Sequence, residues 1–105
     1  MVFIETASFT KQVEDSLEDE DYGEFQRHLA MYPDAGPVVK GGGGVRKVRW
    51  ALPGTGKSGG IRVMYYWRSH EHRIYLLYLF KKGERSDLTD SQRKELAKYV
   101  KEYLK

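Results

Sequence analysis

Val45-Arg46-Lys47-Val48-Arg49-Trp50-Ala51-Leu52-Pro53-Gly54-Thr55-Gly56-Lys57-Ser58-Gly59-Gly60-Ile61-Arg62-Val63-Met64-Tyr65-Tyr66-Trp67 is the stretch on which the fold turns. Its middle, Ala51 to Ser58, matches a relaxed phosphate-binding loop with Ala51 at the first glycine. That motif needs a strand, the loop, and then a helix whose N-terminus faces the phosphates. Here Gly59-Gly60 follows, and then Ile61 to Tyr65, a run rich in β-branched and aromatic residues. No helix opens at Lys57, and no later apolar strand ends in an aspartate placed to hold magnesium. The stretch therefore reads as a hairpin. Val45–Ala51 is one strand, the glycine-rich Pro53–Gly60 is the turn, and Ile61–Trp67 is the second strand. Nucleotide hydrolysis is disfavoured, and Lys57 is left as a flexible cation able to touch a phosphate.

Working outward, His70-Glu71-His72 reads as a turn, and Ile74 to Phe80 as a strand buried on both faces. Three strands with short links favour an antiparallel meander. Upstream, Val2-Phe3-Ile4 reads as a short strand. Phe9, Val13 and Leu17 recur every four residues, which predicts an amphipathic helix. The acidic run Glu18-Asp19-Glu20-Asp21 suits the start of a second helix, where negative charge complements the dipole. Tyr22, Phe25, Leu29 and Tyr32 mark its apolar face, and Pro33 and Gly36 end it. The two helices are expected to pack as a hairpin. Gly41 to Gly44 reads as a flexible loop. Thr89-Asp90-Ser91-Gln92 fits a capping box before a last helix, with Leu96, Tyr99, Val100, Tyr103 and Leu104 on one face. The expectation is an α+β fold in a single domain spanning 1–105, an antiparallel sheet with two N-terminal helices and one C-terminal helix.

The 105 residues are 40% apolar and 13% aromatic, enough for one core and too few for a second lobe. There is no cysteine, which excludes disulfides, a thiol nucleophile and a Cys-based zinc site. His28, His70 and His72 form no zinc spacing with a carboxylate cluster, so neither a metal nor a cofactor is expected. No apolar run approaches the roughly 20 residues that span a bilayer, and the start lacks the pattern of a signal peptide. A soluble cytoplasmic protein without membrane contact is the expectation.

Net charge is only +3, but it is unevenly placed. Residues 1–37 hold nine acidic and two basic residues, whereas residues 38–85 hold eleven basic and two acidic. Such asymmetry suits a polyanion partner for the middle segment, and equally an unevenly charged solvated surface. Strand alternation puts Lys47 and Arg49 on one side, with Val48 and Trp50 on the other. If the hairpin closes, Lys47, Arg49 and Arg62 share a face or edge, and Lys81, Lys82 and Arg85 follow where the chain leaves the third strand. Clustered cations without acidic partners repel one another, and a phosphate backbone would supply the missing charge. Arg46, Lys57, Lys81 and Arg85 are candidate RNA contacts. Tyr66 shares a side with Arg62 and is the candidate stacking platform, whereas Tyr65 and Trp67 share a side with Ile61 and Val63 and read as core.

Such a site suits RNA cleavage without a metal. The RNA 2′-hydroxyl attacks the neighbouring phosphate, while the protein orients it, stabilises charge on the phosphoryl oxygens and protonates the leaving 5′-oxygen. Arg49 and Arg62 suit the second task, because arginine stays charged and forks onto phosphate oxygens. The acid–base group stays open. Lys47 serves if cationic neighbours lower its pKa. Glu84 is a second candidate or an ion-pair partner of Arg85. His70 and His72 fall at a hairpin tip opposite the cleft and read as a solvated turn.

Val45 to Arg49, Gly56 to Gly60, Ile61 to Tyr66, Ile74 to Leu77 and Lys81 to Leu88, in that order and spacing, resemble the RelE/HigB-type toxins of bacterial toxin–antitoxin pairs. Asp21-Tyr22 through Pro33 is similar to the HigB-like branch. The resemblance implies a twisted antiparallel sheet with helices packed on it. It implies a ribosome-dependent endoribonuclease that cleaves messenger RNA and arrests translation, inhibited by a cognate antitoxin. Carried over by position, the family's strand cations fall on Lys47 and Arg49, its next-strand arginine on Arg62, and its basic residue after the last strand on Lys82, or loosely Lys81. The catalytic set is thus Lys47, Arg49, Arg62 and Lys82. The chain departs from some members at Gly83, where they carry arginine, and at Thr89, where they carry a catalytic tyrosine. Two other readings remain: a gyrase poison on the same fold, or a module that grips RNA or the ribosome without cutting. No exposed apolar seam demands self-association, so the toxin alone is expected to be a monomer.

Overall fold

The first and last helices each begin at a threonine whose hydroxyl accepts from one of their first amides. The computed structural model describes residues 1–52, 56–81 and 88–105, with side chains at all of these except 52 and 56–59. Strand β1 (Val2–Glu5) leads through Thr6 into helix α1 (Ala7–Ser16). Thr6 Oγ1 accepts from Phe9 N at 3.1 Å and donates to Leu77 O at 2.8 Å, so one hydroxyl caps the helix and pins it to the sheet. Helix α2 (Asp19–Met31) has no side-chain cap, and Asp19, Glu20 and Asp21 face its dipole instead. Strands β2 (Arg46–Leu52), β3 (Gly56–Arg68) and β4 (Arg73–Lys81) follow, then helix α3 (Asp90–Tyr99), which runs on as a π-helical turn over Val100–Leu104. The capping box is complete: Gln92 N donates to Thr89 Oγ1 at 3.1 Å, and Thr89 N to Gln92 Oε1 at 3.0 Å. With strand on both sides of residues 53–55, the phosphate-loop reading loses the helix it required.

The sheet order is β1-β4-β3-β2. β2, β3 and β4 form the expected antiparallel meander. β1 departs from expectation by pairing with β4 in parallel, from Val2↔Arg73 to Glu5↔Leu76. The sheet is therefore mixed. Three apolar residues carry no direction of their own; the direction follows from where Thr6 must place α1. Thr6 N donates to Leu76 O at 3.1 Å, extending the ladder into the cap.

Both faces of the sheet are covered. On one, Val48, Ile61, Val63, Tyr65, Ile74, Leu76 and Leu79 pack under Phe9 and Val13 of α1 and Phe25 and Leu29 of α2. The two helices meet through Phe9 and Tyr22, with ring centroids 6.1 Å apart. On the other, Met64 and Leu77 pack under Leu88, Leu96, Val100 and Leu104. Each fully buried side chain of this size contributes about 1.5–3 kcal/mol. Between Met64↔Tyr78 and Tyr65↔Leu76 the register slips by one, so Leu77 is an extra residue in β4. The bulge lets β4 offer both Leu77 and Tyr78 to the α3 cluster. Tyr99 and Tyr103 are 40% and 67% exposed. The buried seam of the last helix runs along Leu96, Val100 and Leu104 alone, and the tyrosines flank it.

Gly41 to Gly44 form a defined turn rather than a flexible loop. Gly42 N donates to Val39 O at 3.1 Å, Val45 N to Gly42 O at 3.3 Å, and Gly44 sits at φ 106°. Upstream, Gly36 leaves no room for a side chain, since a Cβ there would fall 2.6 Å from Lys47 O. Its turn is locked by the buried Tyr65, whose hydroxyl accepts from Gly36 N at 3.0 Å and donates to Pro33 O at 2.8 Å. Among the described residues no helix is long and apolar enough to cross a membrane.

Candidate nucleic-acid interface

Strand alternation and register together build the site. Lys47 pairs with Met64 and Arg49 with Arg62, so Lys47, Arg49 and Arg62 all project from the α3 side of the sheet. Lys47 N donates away from β3, to Pro37 O at 3.1 Å. Positions 47 and 49 are therefore the non-hydrogen-bonded pairs, the closer of the two antiparallel kinds. Two guanidiniums thus stand directly opposite each other, a placement that is unfavourable by itself.

The same sheet contains an internal contrast. Arg68 and Arg73 also oppose each other, at the far end of β3. There Glu71 Oε2 bridges them, 3.5 Å from Arg68 Nη1 and 3.2 Å from Arg73 Nη1. Tyr75 and then Glu71 push the Arg73 pKa up. Among the described residues no carboxylate pairs with Arg49 or Arg62. One arginine pair is bridged by a carboxylate within the fold, and the other is left exposed to half-buried on a face that can take an anion.

The remaining sequence candidates divide. Arg46 pairs with the core residue Tyr65, on the opposite face, and its Nη1 donates to Gly36 O at 2.8 Å. It braces the turn before β2 and does not join the cationic row. Lys81 pairs with Ile61, also on the opposite face, and its Nζ lies 3.3 Å from Asp15 O near the end of α1. Alternation sends it away from Arg62. Tyr66 lies on the cationic side, but its ring packs in the α3 cluster under Gly44, where a Cβ would fall 3.0 Å from Cε1. That packing takes one side of the half-buried ring. Lys82, Gly83, Glu84 and Arg85 lie outside the described residues, as does the side chain of Lys57. His70 and His72 are exposed at the tip beyond Arg68, opposite the row, as expected.

Three residues gain a place that the sequence did not signal. Phe80 stands opposite Arg62 on β4 and stacks on Tyr78 at 6.1 Å, giving the row an aromatic flank. Arg93, at the head of α3, lines a hollow of about 220 Å³ with Lys47, Lys40 and Pro37 to Val39, and pairs with Asp90 at 3.0 Å. Its only signal was a charged residue three before Leu96, in line with the apolar stripe. His28 packs on Trp50 at 5.2 Å beside Lys47 and Arg49.

Fold and face together define a small α+β protein that offers a row of cations along one edge of a mixed sheet. The family model for the RelE toxin of the RelE/RelB toxin–antitoxin system matches residues 34–105. The chain belongs to the RelE toxin family. A chain in the crystal structure of the intact E. coli RelBE toxin–antitoxin complex has a similar fold, with a TM-score of 0.56 at 14% identity, covering 76% of this chain and 94% of that one.

Proposed function

We propose that this protein is a ribosome-dependent endoribonuclease that cuts messenger RNA through attack of the RNA 2′-hydroxyl, and that a cognate antitoxin restrains it. The observation that carries the reading is the opposed Arg49–Arg62 pair, with no carboxylate among the described partners of either arginine and with Lys47 one step along the same face. Two forked cations at one point match the two non-bridging oxygens of a phosphate that gains charge as the 2′-oxygen attacks. Arg49 and Arg62 stabilise that charge, Lys47 serves as the acid–base group or as a further phosphate contact, and Lys82 is the fourth catalytic candidate. The ribosome supplies what a domain this small lacks, a frame that holds the message in line for attack. The antitoxin assignment follows the name of the family and the RelBE complex to which the fold is similar.

One observation favours a second reading, a grip on RNA without cleavage. Position 89 carries threonine, and its hydroxyl is engaged in the capping box of α3. The test is induction in a bacterial host with mapping of messenger RNA 5′ ends, beside an Arg62→Ala control. New ends inside translated codons, absent in the control, are the expected result. Growth arrest with intact messages would leave the binding reading standing, and DNA damage would point to gyrase.

A further inference from the structure

The catalytic proposal leaves one part of the β2 edge unused. β2 is an outer strand, and half of its outer edge is already taken, with Lys47 N on Pro37 O and Val38 bridged to Arg46. Main-chain groups of an edge strand alternate inward and outward, so the N–H and C=O of Arg49 face outward as Lys47 N does. No main-chain partner reaches them among the described residues. At this point lies a hollow of about 460 Å³ lined by His28, Ala35, Pro37, Lys47, Val48 and Arg49. His28 is held in place by Trp50 at 5.2 Å and by Tyr32 at 5.4 Å, and Trp50 in turn packs edge-on against Phe25 at 5.5 Å.

We propose that this hollow is a nucleobase pocket, in which a base of the bound strand stacks on His28 and offers its hydrogen-bonding edge to the Arg49 main chain. The inference rests on the reading of the cationic row as an RNA site. Three features select a base over an added protein strand. The free edge of β2 spans only Arg49 to Leu52, short of the five or six residues of an ordinary strand. A planar group needs just one donor and one acceptor, which a single residue in an edge strand supplies. Lys47 and Arg49 share the rim, where the phosphates on either side of the base would lie.

The test compares a short single-stranded RNA with an abasic strand of the same length and charge, by equilibrium binding and by amide shifts of isotopically labelled protein. The RNA should bind about tenfold more tightly, the gain expected of one stacked base. The Arg49 amide should move with RNA and stay still with the abasic strand. His28→Ala should remove the tenfold difference, and so should Ala35→Phe, which fills the hollow from an exposed position. Both variants are checked for a native amide spectrum, and the two together guard against a misfolded His28→Ala. Equal affinity for the two strands overturns the pocket while leaving the cationic site intact, and so does an Arg49 amide that ignores the base. Movement of Arg49 to Leu52 with an acidic peptide and not with RNA overturns it in favour of a protein partner. Failure of both strands to bind overturns the RNA reading itself.

Discussion

Replacing Arg62 by methionine should make the protein more stable while abolishing its toxicity. Arg49 and Arg62 face each other in a close, non-hydrogen-bonded register, and no described carboxylate sits between them. Two like charges about 6 Å apart repel by roughly 0.7 kcal/mol at the dielectric constant of water, the fitting value for side chains that are exposed and half-buried. Methionine keeps the length of the arginine stem beside Met64 and Phe80 while removing the charge. For a domain of this size, that relief corresponds to a rise in Tm of about 3–5 °C. Thermal melts at low salt and at 1 M salt measure it. At 1 M the Debye length is about 3 Å, so wild type and variant should converge. The reasoning fails if the variant melts at or below wild type in low salt. It fails equally if the gain survives at 1 M, which would trace it to methionine's packing rather than to repulsion. The Arg68–Arg73 pair is the control, since Glu71 bridges it, so Arg68→Met loses an attraction along with the repulsion and should give no such rise.

Thr89→Ala removes the hydroxyl that caps α3 and should cost about 1 kcal/mol, seen as a lower denaturation midpoint with cleavage per folded molecule retained. Tyr22 donates to Glu5 Oε2 at 2.5 Å, and burial, followed by that contact, pushes its pKa above the ordinary 10.0. A raised folded pKa means that the contribution is complete below pH 10 and declines as pH rises beyond it. Urea melts between pH 9 and 11 should therefore show less alkaline loss in Tyr22→Phe than in wild type, with Tyr65 accounting for part of what remains. Arg93→Ala should weaken RNA binding evenly across sequences and reduce the salt slope by about one, because Arg93 shares a hollow with Lys47 as a phosphate contact would.

The hairpin, the capping box and the shared side of Lys47 and Arg49 were legible because each rests on a local rule: turn composition, a four-residue cap, a period of two. Opposition of Arg49 to Arg62 needed a register, which the glycine-rich turn leaves unspecified from sequence. The side taken by Lys81 and the covering of Tyr66 were obscured for different reasons. Leu77 adds a residue to β4 and breaks the alternation of Ile74 to Phe80, so counting along that run misplaces the residues beyond the bulge. Tyr66 is on the side that alternation gives it, but α3, Gly43 and Gly44 return from distant positions to cover that side. The direction of β1 was hidden because it depends on the hydrogen bonds of Thr6 to Leu76 and Leu77, some seventy residues away. Arg93 and His28 belong to the same class: nothing near them in the chain announces the strand they end beside.

The segment from Pro37 to Val39 has a bearing on solubility. An outer strand with free amides and carbonyls is a template for ordered aggregation. Here Pro37 and Val38 already occupy the positions beside Lys47 and Arg46, so another copy of the chain finds only the stretch after Val48 open. Two copies meeting antiparallel there would bring Arg49 of one toward Arg49 of the other. The charge that equips the edge to hold an anion also makes it a poor surface for stacking copies.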